Sequence, residues 1–272
     1  MYRILACDMD GTLLKDDKTI SEETIKELNR ITDKGIIFLP STGRTHRELP
    51  EAIRNLPFIH YALCCNGGAI YSYLEEKYIY EKLIPYDLAL EVLEYGESLP
   101  LQVAVVVNGQ RIATGDENDE ISDYVKKVAV PDILFNFVGA HDVKEAFAQR
   151  KIGAQKILFY VMDGADKQDI QNNLSNKFPD LAVSSSGPLF IEVNIKGVDK
   201  GRALKDFCKY MNIPIEESIA FGDAENDISM LKAAGLSVVT ENGTIETKKY
   251  ADMICPSNND DGVCKTIKDI WN

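Results

Sequence analysis

Ile4-Leu5-Ala6-Cys7-Asp8-Met9-Asp10-Gly11-Thr12 is the stretch on which the fold turns. A short apolar run, Tyr2 to Cys7, breaks into two carboxylates and a glycine, as a buried strand does when it opens into a loop. Working outward, Ser21 is a good N-cap residue, and Glu22 and Glu23 suit the positive end of a helix. Ile25, Leu28 and Ile31 recur at helical spacing until Gly35 closes the helix, and Ile36 to Leu39 reads as a buried parallel strand. The unit is strand, helix, strand. The alternation continues with a helix expected from Thr45 to Arg54, a strand at Tyr61 to Cys64 and a turn at Asn66-Gly67-Gly68. A hairpin of Ala69 to Tyr73 with Lys77 to Tyr80 follows.

Beyond Pro85 the rhythm changes. A helical stretch from Tyr86 to Ser98 leads to Leu101 to Val107 and Arg111 to Thr114, joined by Asn108-Gly109, a dipeptide that favours a tight hairpin. Further strands are expected at Lys156 to Met162, Leu181 to Ser185 and Leu189 to Asn194, with helices at His141 to Arg150 and Ala165 to Phe178. This part reads as an antiparallel α+β module. From Asp199 the first pattern resumes: helix to Met211, strand Ser218 to Phe221, helix Asn226 to Ala234, strand Leu236 to Val239, a short helix around Thr244 and a last helix after Asp260. Linker-like composition near Lys82 to Pro85 and Ser185 to Pro188 marks the joins. The expected fold class is α/β: a Rossmann-like parallel-sheet core of residues 1–83 and 189–272 with an inserted α+β cap at 84–188.

Composition narrows the partners. Among 272 residues, 43 Asp and Glu outnumber 30 Lys and Arg, and a formal charge of −13 repels phosphate backbones and anionic lipid. Nucleic acid and membrane surfaces are not expected as partners, and a phosphorylated ligand needs a metal ion or local cations to enter. The longest apolar run, around Val103 to Val107, falls far short of the ~20 residues that span a bilayer. The opening residues show no basic segment followed by a long apolar one. Six cysteines with no C-x-x-C spacing read as small buried hydrophobes in a reducing compartment. A cytoplasmic protein is expected, which makes the Asn-x-Ser/Thr matches at Asn173 and Asn242 chance occurrences.

Ligands of an open parallel sheet sit beyond the carboxyl ends of its strands. Behind the predicted core strands come Asp8-Met9-Asp10-Gly11-Thr12, Ser41-Thr42-Gly43-Arg44, Asn66-Gly67-Gly68 and Gly222-Asp223-Ala224-Glu225-Asn226-Asp227, while Lys200 opens the helix on which the chain returns. Several carboxylates near one point stay ionised only if a cation offsets their repulsion. All-oxygen ligation points to Mg²⁺. A site with Mg²⁺, a lysine, a hydroxyl and glycine-freed backbone N–H groups suits a tetrahedral phosphoryl dianion. Other candidates are weaker: His46, His60 and His141 show no metal-ligand spacing, and Cys64-Cys65 reads as a strand end. Lys15-Asp16-Asp17-Lys18 reads as a solvated loop, and Arg44 as a carboxylate partner or fold-holding residue outside the catalytic set.

The segments Asp8-Met9-Asp10-Gly11-Thr12-Leu13-Leu14, Ser41-Thr42-Gly43-Arg44, Gly197-Val198-Asp199-Lys200-Gly201 and Gly222 to Asp227 resemble, in order, the four motifs of the haloacid dehalogenase superfamily. The long insert, with Asn66-Gly67-Gly68 before it and Phe190-Ile191-Glu192-Val193 at its end, resembles the Cof-type sugar-phosphatase branch with a C2-type cap. Two departures touch no reacting group: Gly68, where the branch more often has Ala, and Pro40-Ser41 before Thr42.

The resemblance implies that Asp8 is the nucleophile and that Asp10 protonates the leaving group and later activates water. It implies that Thr42 and Lys200 join the catalytic set, Lys200 neutralising nucleophile and phosphate, and that phosphate is bound by Thr42, Lys200, Asn66 and the N–H groups of Met9 and Gly43, with Asn226 as either phosphate contact or helix cap. Mg²⁺ would be held by Asp8, the backbone carbonyl of Asp10 and Asp223, with Asp227 orienting a metal-bound water. The implied activity is Mg²⁺-dependent hydrolysis of small phosphorylated metabolites, hexose phosphates first, with pyridoxal phosphate or a nucleotide behind them. The cap would select the leaving group. A phosphosugar mutase and a non-catalytic phosphometabolite sensor are the alternatives. The carboxylate at Asp10 argues for rapid hydrolysis of a phosphoenzyme, and the intact acids argue against a sensor. Oligomeric state is left open.

Overall fold

The computed structural model describes residues 1–116, 120–129, 131–187 and 189–271, with side chains for all of these except 185–187. Strand β1 (Ile4–Cys7) is buried along its whole length. Helix α1 (Glu22–Asp33) follows, and the Ser21 side chain accepts the Thr24 N–H as its cap. Strand β2 (Ile37–Pro40) then pairs parallel with β1. The sequence predicts one helix over Thr45 to Arg54, but the structure has a 3-10 turn at His46–Glu48 and a separate short helix α2 (Glu51–Arg54). Pro50 is the cause, since it has no N–H to donate and disfavours the helical conformation of the residue before it. Strands β3 (Tyr61–Cys64), β4 (Ala69–Ser72) and β5 (Lys77–Glu81) form a sheet of their own. β3 therefore leaves the set of core strands in which the sequence places it, touching β2's extension through a parallel bridge between Ser41 and Leu63.

The chain then builds a second compact unit, Glu81–Val198 with Thr45–Glu48. In order it holds α3 (Tyr86–Glu97), β6 (Leu101–Val107), β7 (Gln110–Thr114), α4 (Asp123–Val128), β8 (Phe137–Ala140), α5 (Val143–Ala148), β9 (Lys156–Val161), α6 (Lys167–Lys177), β10 (Leu181–Gly187) and β11 (Phe190–Ile195). The six strands run β10-β11-β9-β6-β7-β8, antiparallel except between β7 and β8. Alternate residues Val103, Val105, Ile157, Phe159, Ile191 and Val193 join Leu93, Phe147 and Leu174 from the helices in one core. This unit is wider than 84–188 because β11 pairs with both β9 and β10. The Ser185 to Pro188 join is strand as far as Gly187, which pairs with Phe190, and Pro188 lies outside the described residues. Thr45–Glu48 belongs here through Glu48, which is ion-paired with Arg111 and accepts the Asn136 amide at 2.9 Å.

Helix α7 (Lys200–Tyr210), β12 (Ser218–Gly222), α8 (Ile228–Ala233), β13 (Leu236–Thr240), α9 (Ile245–Lys248), β14 (Met253–Cys255) and α10 (Gly262–Ile270) complete the first unit. Its sheet runs β14-β13-β12-β1-β2, every pair parallel. Ile4, Ala6, Leu39, Ala220 and Val239 pack with Leu204 and Phe207 of α7 and Met230 and Leu231 of α8. Cys7 lies in register with Pro40 on one side and Phe221 on the other. Because these strands share one direction, Asp8, Ser41 and Gly222 emerge at the same sheet edge, and that positions the site. Among the described residues, no helix is long and apolar enough to cross a membrane.

Gly67 fixes where α7 begins. Its φ is +94°, and a Cβ there would lie 2.2 Å from the carbonyl oxygen of Asp199, the residue that caps α7. Gly67→Ala is expected to lower the free energy of unfolding in urea by about 3 kcal/mol. Parental stability in that variant would contradict the close approach.

Candidate active site

Asp8 is the first residue past β1, and its N–H still follows the sheet, donating to the Phe221 carbonyl at 3.0 Å. Its side chain is nearly buried. Opposite it stands Lys200, the first residue of α7 and fully buried, with Nζ 2.5 Å from Asp8 Oδ1 and 2.6 Å from Asp227 Oδ1. The start of α7 is tied to α8 by the Gly201 N–H, which donates to Ser229 Oγ at 3.1 Å. Burial opposes the charged ammonium, but Asp227 and Asp8 more than offset it, so the lysine pKa is raised.

Asp227 folds back onto the loop that follows β12. Its Oδ2 accepts the N–H groups of Asp223 and Ala224, each at 3.0 Å, while Oδ1 takes Lys200. Both of its oxygens are therefore engaged. Asp223 Oδ1 accepts the Thr12 hydroxyl at 2.8 Å. Gly11, at φ +89°, lets this loop pass so close that a Cβ there would lie 2.6 Å from Asp223 Oδ2. Asp8, Asp223 and Asp227 each offer a carboxylate oxygen within 4.8 Å of the others.

Three carboxylates against the Lys200 ammonium leave two negative charges uncompensated in this cluster. Burial, then the charge of Asp227, holds Asp8 well above the usual carboxylate range. Burial pushes Asp223 up to about 6, with the Thr12 hydrogen bond pulling the other way. An oxygen-only donor set with a charge deficit of two fits a hard divalent cation.

The Asp10 side chain stands outside this cluster. Arg44 grips it with two bonds, Nε to Oδ2 and Nη2 to Oδ1, both 2.8 Å, and Lys18 Nζ adds a third at 2.8 Å. Burial would raise its pKa, but the Arg44 and Lys18 cations hold it below the usual value. Arg44 is thus tied to a proposed catalytic group, and Lys15–Lys18 is not merely a solvated loop. Lys15 pairs with Asp261 at 3.5 Å, Asp16 accepts from Asn258 and Asn259, and Asp17 accepts the Thr19 N–H at 3.0 Å. As a carboxylate partner Arg44 was open to the sequence. Lys18 was not, because it reaches Asp10 from a left-handed backbone conformation, φ 65°.

Thr42 is buried, and its Oγ1 accepts the Arg44 N–H at 3.1 Å, leaving its own proton for another acceptor. Its carbonyl accepts the Asn66 N–H at 3.0 Å, and Asn66 Oδ1 accepts the Asn226 amide at 3.2 Å. A Cβ on Gly43 would lie 3.0 Å from Asn66 Oδ1. Thr42, Gly43, Asn66 and Asn226 therefore share one rim, while the Met9 side chain is fully buried. Thr12, next to Gly11, is the site residue that sequence reasoning passed over. Every residue of this constellation lies in the first unit.

The chain matches the family described as haloacid dehalogenase-like hydrolase over residues 5–267. It is 28% identical over 277 residues to the 5-amino-6-(5-phospho-D-ribitylamino)uracil phosphatase YitU of Bacillus subtilis, covering 99% of this chain and 97% of that one. Among solved structures it is similar to TM0651 from Thermotoga maritima, with TM-score 0.84, 28% identity and coverage of 100% and 98%. A haloacid dehalogenase-like hydrolase from Bacteroides thetaiotaomicron gives TM-score 0.86 at 26% identity, covering 100% of both chains. With the motifs in order along a parallel sheet and a second unit inserted between them, the chain belongs to the haloacid dehalogenase-like hydrolases, in their Cof-type phosphatase branch.

Proposed function

We propose that this enzyme is a Mg²⁺-dependent phosphatase that hydrolyses small phosphomonoesters, sugar phosphates foremost, through a phosphorylated Asp8. The observation that carries the reading is the buried Asp8–Lys200–Asp227 arrangement beside Asp223, an anionic cluster short of positive charge around a fixed carboxylate. Asp8, Asp223 and the Asp10 backbone carbonyl would hold the ion, with Asp227, its oxygens already committed, orienting a water beside it. When bound, Mg²⁺ supplies Lewis-acid polarisation of the phosphoryl oxygens and offsets charge built up in the transition state.

Asp8 attacks phosphorus, the ester P–O bond breaks, and Asp10 delivers a proton to the departing alkoxide. Asp10 then takes a proton from a water whose oxygen attacks the phosphorus, which frees phosphate and restores Asp8. Arg44 and Lys18 favour the ionised Asp10 that this second step needs, and they make the protonated Asp10 of the first step a stronger but scarcer acid. Lys200, Thr42, Asn66, Asn226 and the N–H groups of Met9 and Gly43 bind the phosphoryl oxygens. We assign the choice of leaving group to the inserted unit. The substrate in YitU's name carries a phosphorylated polyol chain, which supports a polyhydroxylated phosphate ester here. All six cysteines are buried thiols, in keeping with a cytoplasmic setting.

Asp8→Asn is expected to reduce turnover of p-nitrophenyl phosphate to background while leaving the circular dichroism spectrum unchanged. EDTA should silence the parent and added Mg²⁺ restore it. Parental rates in the variant would remove Asp8 as nucleophile. A second test reads stability. The folded pKa of Asp223, about 6, exceeds the ordinary carboxylate value, so its ionised form costs stability in full above pH 6 and not at all below about pH 4. Metal-free Asp223→Asn should therefore unfold about 3 kcal/mol less readily at pH 7, a gain that shrinks as pH falls through that window. Urea unfolding in EDTA checks it, and a difference independent of pH would contradict it.

A further inference from the structure

The turn after β13, Glu241-Asn242-Gly243-Thr244, has no part in the chemistry above, and in the sequence Asn242 stands out only through a chance Asn-Gly-Thr. In the structure this turn grips both acid-bearing loops. The Thr244 N–H donates to the Asp223 carbonyl at 2.9 Å. From the same turn Asn242 Nδ2 donates to the Gly11 carbonyl at 2.7 Å, and its Oδ1 accepts the Asn258 N–H at 3.0 Å. Asn258 is buried and passes the grip on, its Nδ2 donating to the Leu14 carbonyl at 2.9 Å and to Asp16 Oδ1 at 3.1 Å. Between those two carbonyls sits Thr12, which holds Asp223.

We infer that Asn242 is a positioning residue for the divalent-ion site. It fixes the Gly11 peptide relative to Asp223, and so sets the spacing between the donors of two loops far apart in sequence. A glycine moves between backbone conformations at little cost, so a hydrogen bond to its carbonyl selects one of them. Asn242 is itself exposed, so its truncation leaves the core intact. The inference rests on the metal reading of the proposed function, and its readout is affinity rather than turnover. Losing an outer partner of this kind costs about 10–100-fold in metal affinity.

The experiment is calorimetric titration of Mg²⁺ into EDTA-stripped, desalted full-length chain, comparing the parent with Asn242→Ala, Asn242→Asp and Asp223→Asn. The Ala variant should bind Mg²⁺ about 10–100-fold more weakly, with the melting temperature of the metal-free protein unchanged. The Asp variant keeps the acceptor for Asn258 and loses the donor to Gly11. Its added negative charge would by itself tighten cation binding, so weaker binding in this variant reports lost geometry. Parental affinity in the Ala variant overturns the role of Asn242. A parent that takes up no Mg²⁺ removes the metal reading and this inference with it, whereas binding in the parent that is lost in Asp223→Asn upholds that reading separately.

Discussion

Three carboxylates held within 4.8 Å of one another around one buried ammonium form the constraint on which the rest of the site depends. Like charges in a poorly solvated place repel, and the protein concentrates that repulsion rather than relieving it. Lys200 bonds two of the acids, which keeps them in place and leaves Asp223 facing a charge deficit. A buried lysine with paired acids is costly to break, since loss of either partner strands an uncompensated charge. The cluster is thus rigid and still short of positive charge, which is a state suited to receiving a cation and a phosphoryl group.

The fold supplies this constraint with few parts. Parallel pairing of β1 with β2 and β12 sends three loops out of one sheet edge, and α7 returns Lys200 to the same place. Side chains then tie the loops to one another: Thr12 to Asp223, Asn66 to Asn226, Asn242 to Gly11. Each tie joins segments distant in sequence, so the site's geometry belongs to the assembled unit rather than to any one motif. Asp10 differs from the other acids in being held by two cations, Arg44 and Lys18, instead of facing its own kind. Two acids of one loop thereby sit in opposite electrostatic surroundings, with Asp8 pushed toward its protonated form and Asp10 toward its ionised form.

Much of this was legible in the sequence, because the signals were local. An apolar run ending in Asp8 marks the first strand, and Ser21 with its following glutamates marks the helix after it. The acids, Thr42, Lys200 and the asparagines were legible because each follows a strand end or opens a helix. What escaped depends on contacts that no spacing announces. Lys18 reaches Asp10 through a left-handed residue, and Thr12 acts through its distance to Asp223, not through a motif of its own. The short strands β8 and β14 are apolar but only 4 and 3 residues long, too short for their periodicity to be read. The edges of the inserted unit were misplaced for a similar reason: residues 189–198 are adjacent in sequence to the returning core, but β11 finds its partners in β9 and β10.

The central claim is that Asp8 and Asp223 share one divalent ion while Asp227 stays bonded to Lys200. Anomalous scattering from crystals soaked in Mn²⁺ tests it most directly. The account predicts a peak within ligand distance of the Asp8 and Asp223 carboxylates, with the Lys200–Asp227 pair intact. A lattice that admits Mn²⁺ yet shows no peak there, or one held by Asp227 with Lys200 displaced, would contradict it.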